Sequence, residues 1–185
     1  MEYPSKAIPL NIYLKQQITN KLSEQESRNI FIQLIQAIKY CHNKQIIHRD
    51  IKLENILYDP NAQKVKLIDF GFSIAIVPGT MLNIFCGTPS YMAPEIVNKQ
   101  DYSFSVDIWA LGILLFKILN GKFPFKGKND QDLYKKINEC KLDFESDVSL
   151  KSRLLIQSIL KQNPDDRINI NQILENDWIN NIEKS

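Results

Sequence analysis

Between Ser105 and Asn120 the chain reads Ser-Val-Asp-Ile-Trp-Ala-Leu-Gly-Ile-Leu-Leu-Phe-Lys-Ile-Leu-Asn, helical in pattern and apolar nearly all the way round. A helix with almost no polar face has to be covered on every side. Its most apolar part, Ile108 to Leu119, is interrupted by Lys117 and is too short to cross a bilayer, so the cover must come from the rest of the chain. The 185 residues, 44% of them hydrophobic, suffice for one sizeable core but not for two ordinary domains and a linker. The expectation is one mostly helical unit built round this segment, with Gly121 as its stop signal.

The elements that could wrap it are legible upstream and downstream. Met1-Glu2-Tyr3 could close a strand, and a helix is expected from about Pro9 to Ile18. Ser23-Glu24-Gln25-Glu26 has the spacing of a capping box, in which the serine hydroxyl takes the Glu26 amide and the Glu26 carboxylate reaches back. Ile30, Leu34, Ile38 and Cys41 then recur at helical spacing through about Asn43. Ile56-Leu57-Tyr58 and Val65-Lys66-Leu67-Ile68 flank the turn-rich Asp59-Pro60-Asn61-Ala62, which predicts a small hairpin. Asp69 to Glu95 has many glycines and prolines but no sustained period and reads as a long loop, a length that usually carries function. Short helices are expected near 130–138, 150–160 and 170–176.

Charge and cysteine content exclude several classes. A net charge of +2 is spread along the sequence without the basic stripe that nucleic-acid binding needs. Cys41, Cys86 and Cys140 are odd in number, far apart and outside metal-binding spacing, which predicts reduced thiols and a cytoplasmic or nuclear setting. No secretory leader is evident, and neither export nor membrane association is expected.

Chemistry concentrates in one string, His48-Arg49-Asp50-Ile51-Lys52-Leu53-Glu54-Asn55, followed by Asp69-Phe70-Gly71 and Ala93-Pro94-Glu95. Phosphoryl transfer requires a carboxylate to orient an attacking hydroxyl and take its proton, cations to neutralise the transferring group, and in-line positioning. Asp50 is the candidate base, Lys52 the cation beside it, and Asn55 with Asp69 the oxygen ligands suited to Mg²⁺. Either motif alone could be an ordinary turn; in this order, joined by a hairpin, they form one apparatus.

With these motifs the chain resembles the C-terminal lobe of a eukaryotic protein kinase over essentially its whole length. Lys52 and Thr88, in Cys86-Gly87-Thr88-Pro89-Ser90-Tyr91, match the serine/threonine type, and the residues round Asp69 and Phe85 are most similar to the calcium/calmodulin-dependent and AMP-activated kinase group. The resemblance implies ATP and Mg²⁺ as cofactors, protein substrates with a Ser or Thr acceptor, and Asp50, Lys52 and Thr88 as catalytic residues. It also implies a nucleotide site drawing on Glu2, Lys52, Leu57, Asn55 and Asp69, with Thr88 bonded to the Asp50 and Lys52 pair. Glu95 should pair with Arg167, and Asp107 should anchor the catalytic-loop backbone. His48 reads as a packed structural imidazole, since Asp50 already supplies the base. Glu54 lies where some kinases of this group receive a basic peptide residue, and reads equally as a solvated carboxylate.

Departures from the resemblance set further expectations. Met1-Glu2-Tyr3 resembles the interlobe hinge, so residues 1–5 are expected as a hinge remnant and 6–185 as the C-lobe, without the N-terminal β lobe. Pro4 stands where the hinge usually offers an N–H, and proline has none. The six glycines, at 71, 79, 87, 112, 121 and 127, form no Gly-x-Gly. Such a lobe is expected to be poorly active alone and to leave an interlobe face for a partner. Ile84 occupies the place of the activating threonine, which leaves Thr80 and Ser73 as candidate phosphate acceptors and Arg49 without its usual partner. The alternative function is a truncated pseudokinase-like binding or scaffold protein.

Overall fold

The computed structural model describes residues 6–180. Helix α4 (Ser105–Asn120) lies at the centre: apart from its first residue and Lys117 every residue of it is buried, which is how an all-round apolar helix escapes water. Gly121 ends it with φ +69° and an N–H bonded to the Lys117 carbonyl, the left-handed cap that glycine adopts most readily. Helix α2 (Glu24–Asn43) packs along α4 and turns Ile30, Phe31, Leu34, Ile35 and Ile38 into the same core. Helices α6 (Leu150–Ile159), α7 (Ile170–Leu174) and α8 (Asp177–Asn180) close the far side, while α3 (Pro94–Val97) and α5 (Asp130–Glu139) pack on each other.

Crossing of α4 with α6 depends on Gly112. A Cβ there would stand 2.6 Å from Ile159 Cγ2 and 2.9 Å from Leu160 Cδ2. Alanine would gain about 1 kcal/mol of helix propensity, but forcing a methyl into a filled core costs about 1–3 kcal/mol. Gly112→Ala is therefore expected to lower stability in urea denaturation, and a stabilised variant would show that the two helices part freely.

The β structure is larger than a hairpin. Strands β3 (Ile56–Asp59) and β4 (Lys64–Leu67) form the expected antiparallel pair, closed by Asp59, whose Oδ1 accepts the Asn61 and Ala62 amides. Strand β1 (Ile8–Pro9) adds a third member by pairing with β3, and helix α1 (Leu10–Gln16) follows it directly. That helix stops two residues short of the expected Ile18, and the strand expected at residues 1–3 lies outside the described residues.

Two other expectations are corrected. The segment 69–95 is not wholly irregular: strand β5 (Ile74–Ala75) pairs antiparallel with β2 (Ile46–Ile47), Leu82 bridges Tyr102, and Pro89–Tyr91 forms a 3₁₀ turn. A two-residue strand has no period of its own, so only its distant partner defines it. At the start of α2, Ser23 Oγ does accept the Glu26 amide at 3.2 Å, but the reciprocal half of the box does not form. Glu26 Oε1 accepts the hydroxyls of Tyr13 (2.8 Å) and Tyr58 (3.1 Å) instead, two half-buried or buried donors that need an acceptor.

Candidate active site

The β2 strand ends at Ile47, and the chain turns through His48 to Lys52 before the 3₁₀ turn Leu53–Asn55 and strand β3. This loop is held from beneath by Asp107 of α4, which is 1% exposed. Its Oδ2 accepts the His48 amide and its Oδ1 the Arg49 amide, both at 2.9 Å, and His42 Nε2 lies 2.8 Å from Oδ2. The expected anchor is thus present. Arg49 sits at φ +67°, an unfavourable conformation for a side-chain-bearing residue, and its amide bond to Asp107 holds it there.

Four of the predicted site residues converge. Asp50, 4% exposed, accepts the Thr88 hydroxyl on Oδ1 at 2.8 Å, while its Oδ2 accepts Asn55 Nδ2 at 3.0 Å and lies 2.6 Å from Lys52 Nζ. Lys52 Nζ also donates to Thr88 Oγ1 at 3.1 Å, so one hydroxyl links base and cation. Thr88 comes from a segment 36 residues beyond Lys52, and the 3₁₀ turn after it places the Tyr91 hydroxyl against the Leu53 amide. The arrangement fixes a carboxylate as a hydrogen-bond acceptor beside an ammonium group, which suits it to orient a hydroxyl and take its proton.

Asn55 uses its amide nitrogen on both Asp50 Oδ2 and the Asp50 carbonyl, leaving Oδ1 as the atom able to ligate a cation. Asp69 is brought opposite it by register: Ile56 pairs with Leu67, and the Ile68 amide bonds the Asn55 carbonyl. Asp69 is exposed, in the left-handed region at φ +61°, with Oδ1 accepting the Gly71 amide at 3.0 Å. Two hard oxygen donors on neighbouring strand ends fit Mg²⁺, which is held by one or two side-chain oxygens together with substrate phosphates. Leu57 is buried in β3 two residues past Asn55. Glu2 lies outside the described residues.

His48 is wholly buried, with Nδ1 accepting the Asp50 amide at 3.3 Å and the Phe70 ring 4.9 Å from its own. Burial lowers its pKa against the opposing pull of Asp107 and Asp50, which keeps it neutral and structural, as expected. Arg49 does not lack partners: Nε donates to the Phe72 carbonyl at 2.6 Å and a terminal nitrogen to the Tyr102 hydroxyl at 3.3 Å. Tyr102 in turn donates to the carbonyl of Ile84. Tyr91 and Tyr102 were not singled out from sequence, because a tyrosine in a turn gives no sign of the amide or guanidinium it will meet.

Glu95 and Arg167 form the expected pair, with two contacts of 2.6 Å between side chains 2% and 1% exposed. Arg167 also donates to the carbonyls of Ser105, Lys161 and Gln162, and its guanidinium carbon lies 4.9 Å from the Trp109 ring centre.

Comparison with known proteins points to one family. The model of the protein kinase domain matches residues 1–179. CBL-interacting protein kinase 31 of Oryza sativa subsp. japonica is 42% identical over 162 residues, covering 85% of this chain and 36% of that protein. NUAK family SNF1-like kinase 1 of Homo sapiens is 40% identical over 181 residues, 97% of this chain and 27% of its own. Probable serine/threonine-protein kinase MARK-A of Dictyostelium discoideum is 38% identical over 164 residues, 88% of this chain and 15% of its own. The chain therefore spans about a third or less of the length of these relatives.

Proposed function

The chain belongs to the protein kinase domain family, and from that premise we propose that it serves ATP- and Mg²⁺-dependent phosphoryl transfer to serine or threonine of protein substrates. The observation that carries this reading is the Asp50 carboxylate held between Thr88, Lys52 and Asn55 at 2.6–3.0 Å. In this reading Asp50 orients the acceptor hydroxyl and takes its proton as the oxygen attacks the γ-phosphorus of ATP and the bond to the bridging oxygen breaks, with ADP as leaving group, and Lys52 offsets the negative charge on the transferring group. Asn55 Oδ1 and the Asp69 carboxylate would hold Mg²⁺, which when bound neutralises the phosphate oxygens. Thr88 keeps the base and the cation in one geometry. The relatives' names are all of kinases, and that of MARK-A, a probable serine/threonine-protein kinase, supports the serine/threonine class.

We further propose that the 185-residue polypeptide by itself transfers phosphate negligibly. It contains no Gly-x-Gly, so it offers no glycine-rich backbone cradle, and positioning is a main source of rate in this chemistry. Thermal denaturation with ATP tests the site: Mg²⁺ plus ATP should raise the midpoint, ATP with chelator should not, and Asp69→Asn should abolish the rise. Asparagine is chosen because it tolerates the left-handed backbone at 69 while removing the charge. An equal rise without Mg²⁺, or in Asp69→Asn, would overturn the metal assignment. Robust transfer of labelled phosphate to a serine peptide by the purified chain would overturn the low turnover.

A further inference from the structure

A pocket of about 340 Å³ opens beside the catalytic loop, lined by Leu53 and Glu54, the two residues that follow Lys52. Leu14, Leu53 and Phe123 give it apolar walls, and its charged groups are Lys15, Lys117 and Glu54. Two ammonium groups face one carboxylate, but these charges are not equivalent. Lys15 and Glu54 are exposed, and water and salt weaken the field of each. Lys117 is the half-buried one, projecting from the last turn of α4, and its field within the pocket is the least screened.

Among the described residues Lys117 is also a cation without a counter-charge. Its Nζ donates to the Gly121 carbonyl at 2.6 Å and lies 5.4 Å from the Phe123 ring centre, both uncharged partners. Burial, with Lys126 adding to it, pushes its pKa below the ordinary lysine value, and no carboxylate pulls the other way. Close by, Asn11 Oδ1 is buried with no donor among the described residues, although its Nδ2 reaches Glu54 Oε1 at 3.4 Å. The pocket thus presents an unneutralised ammonium, an unmet acceptor suited to an amide N–H, and apolar sides. That is the complement of an acidic residue carried on a peptide backbone.

We propose that this pocket receives an acidic side chain of the peptide substrate, with Lys117 as the residue that sets the preference. The inference rests on the phosphoryl-transfer reading, since it is the nearby Asp50 that makes an occupant of the pocket part of a substrate. It also changes the meaning of Glu54: in this chain the charge of the pocket is decided by Lys117, not by that exposed carboxylate.

The test is binding, which needs no turnover. Labelled serine-centred peptides, each carrying a single Glu, Gln or Arg at one position flanking the serine, are titrated with the purified chain by fluorescence anisotropy. At one or two positions the Glu peptide should bind about fivefold more tightly than the Arg peptide, the range of a partly screened charge pair. Lys117→Arg should keep that preference, Lys117→Met should flatten it, and Lys117→Glu should reverse it, with circular dichroism confirming that each variant is folded. Equal affinities at every position, a preference for Arg, no binding of any peptide, or a Glu preference that survives Lys117→Glu would each overturn the inference. The rise in denaturation midpoint with Mg²⁺ and ATP is read on the same samples. If it persists while the Glu preference is absent, the pocket assignment alone fails; if both are absent, the phosphoryl-transfer reading fails with it.

Discussion

Arg167→Ala is expected to cost about 3–5 kcal/mol of folding stability, because it leaves the Glu95 carboxylate buried and unpaired. The loss does not come from the pair alone. All five guanidinium N–H groups are committed: two to Glu95, the others to the carbonyls of Ser105, Lys161 and Gln162. These join α3, the start of α4 and the turn Pro164–Asp166 at one point, and alanine removes all five donors, leaving the buried Glu95 carboxylate with the Ser105 hydroxyl at 3.4 Å. Against a total stability of about 5–15 kcal/mol for an ordinary domain, this is a fifth or more, and the denaturation midpoint should fall by about 6–20 °C. Glu95→Gln should cost less, since an amide oxygen still accepts from Arg167. A fall of only a degree or two in Arg167→Ala would show that the pair is replaced by water and that its apparent burial has no energetic weight.

What could be read from the sequence divides along a physical line. Elements that bury a periodic apolar face were legible because the period is local: Ile30, Leu34 and Ile38 mark α2, and the all-round apolar run marks α4. The reacting groups were legible because they lie close together in the chain or, as with Thr88, through the family resemblance. What stayed hidden depends on partners far away in sequence. Ser23 and Glu26 have capping-box spacing, yet Glu26 goes to Tyr13 and Tyr58, and the complete box forms at Asn169 and Gln172. Glu24, in the same tetrapeptide, spends its oxygens on Ser149, Ser152 and Trp178, more than a hundred residues on. Strand β5 exists only because β2 is beside it. A carboxylate near a helix start can satisfy its own helix or another element, and only tertiary packing decides which.

Asp107→Ala is expected to do comparable damage by a different route, one that reaches the catalytic loop. Removing this carboxylate orphans the His48 and Arg49 amides and frees His42. Two N–H groups left unmet, one buried and one partly buried, cost about 1–3 kcal/mol each, so the total should lie at about 2–6 kcal/mol. The Arg49 backbone, at φ +67°, would then lose a bond that holds it in an unfavourable conformation and would relax toward an ordinary one. Asp50 is the next residue, and any such relaxation turns its carboxylate away from Thr88 and Lys52. Hydrogen exchange separates this from simple destabilisation. In Asp107→Ala the amides of His48 to Asp50 should exchange far faster than those of the α4 core at the same denaturant, whereas in Arg167→Ala they should follow the core. Asp107→Asn, which keeps one acceptor oxygen but turns an NH₂ toward the other amide, should fall between wild type and alanine. If loop and core amides exchange together in Asp107→Ala, the carboxylate contributes to global stability alone, and the geometry round Asp50 must be held from above by Thr88 and Tyr91.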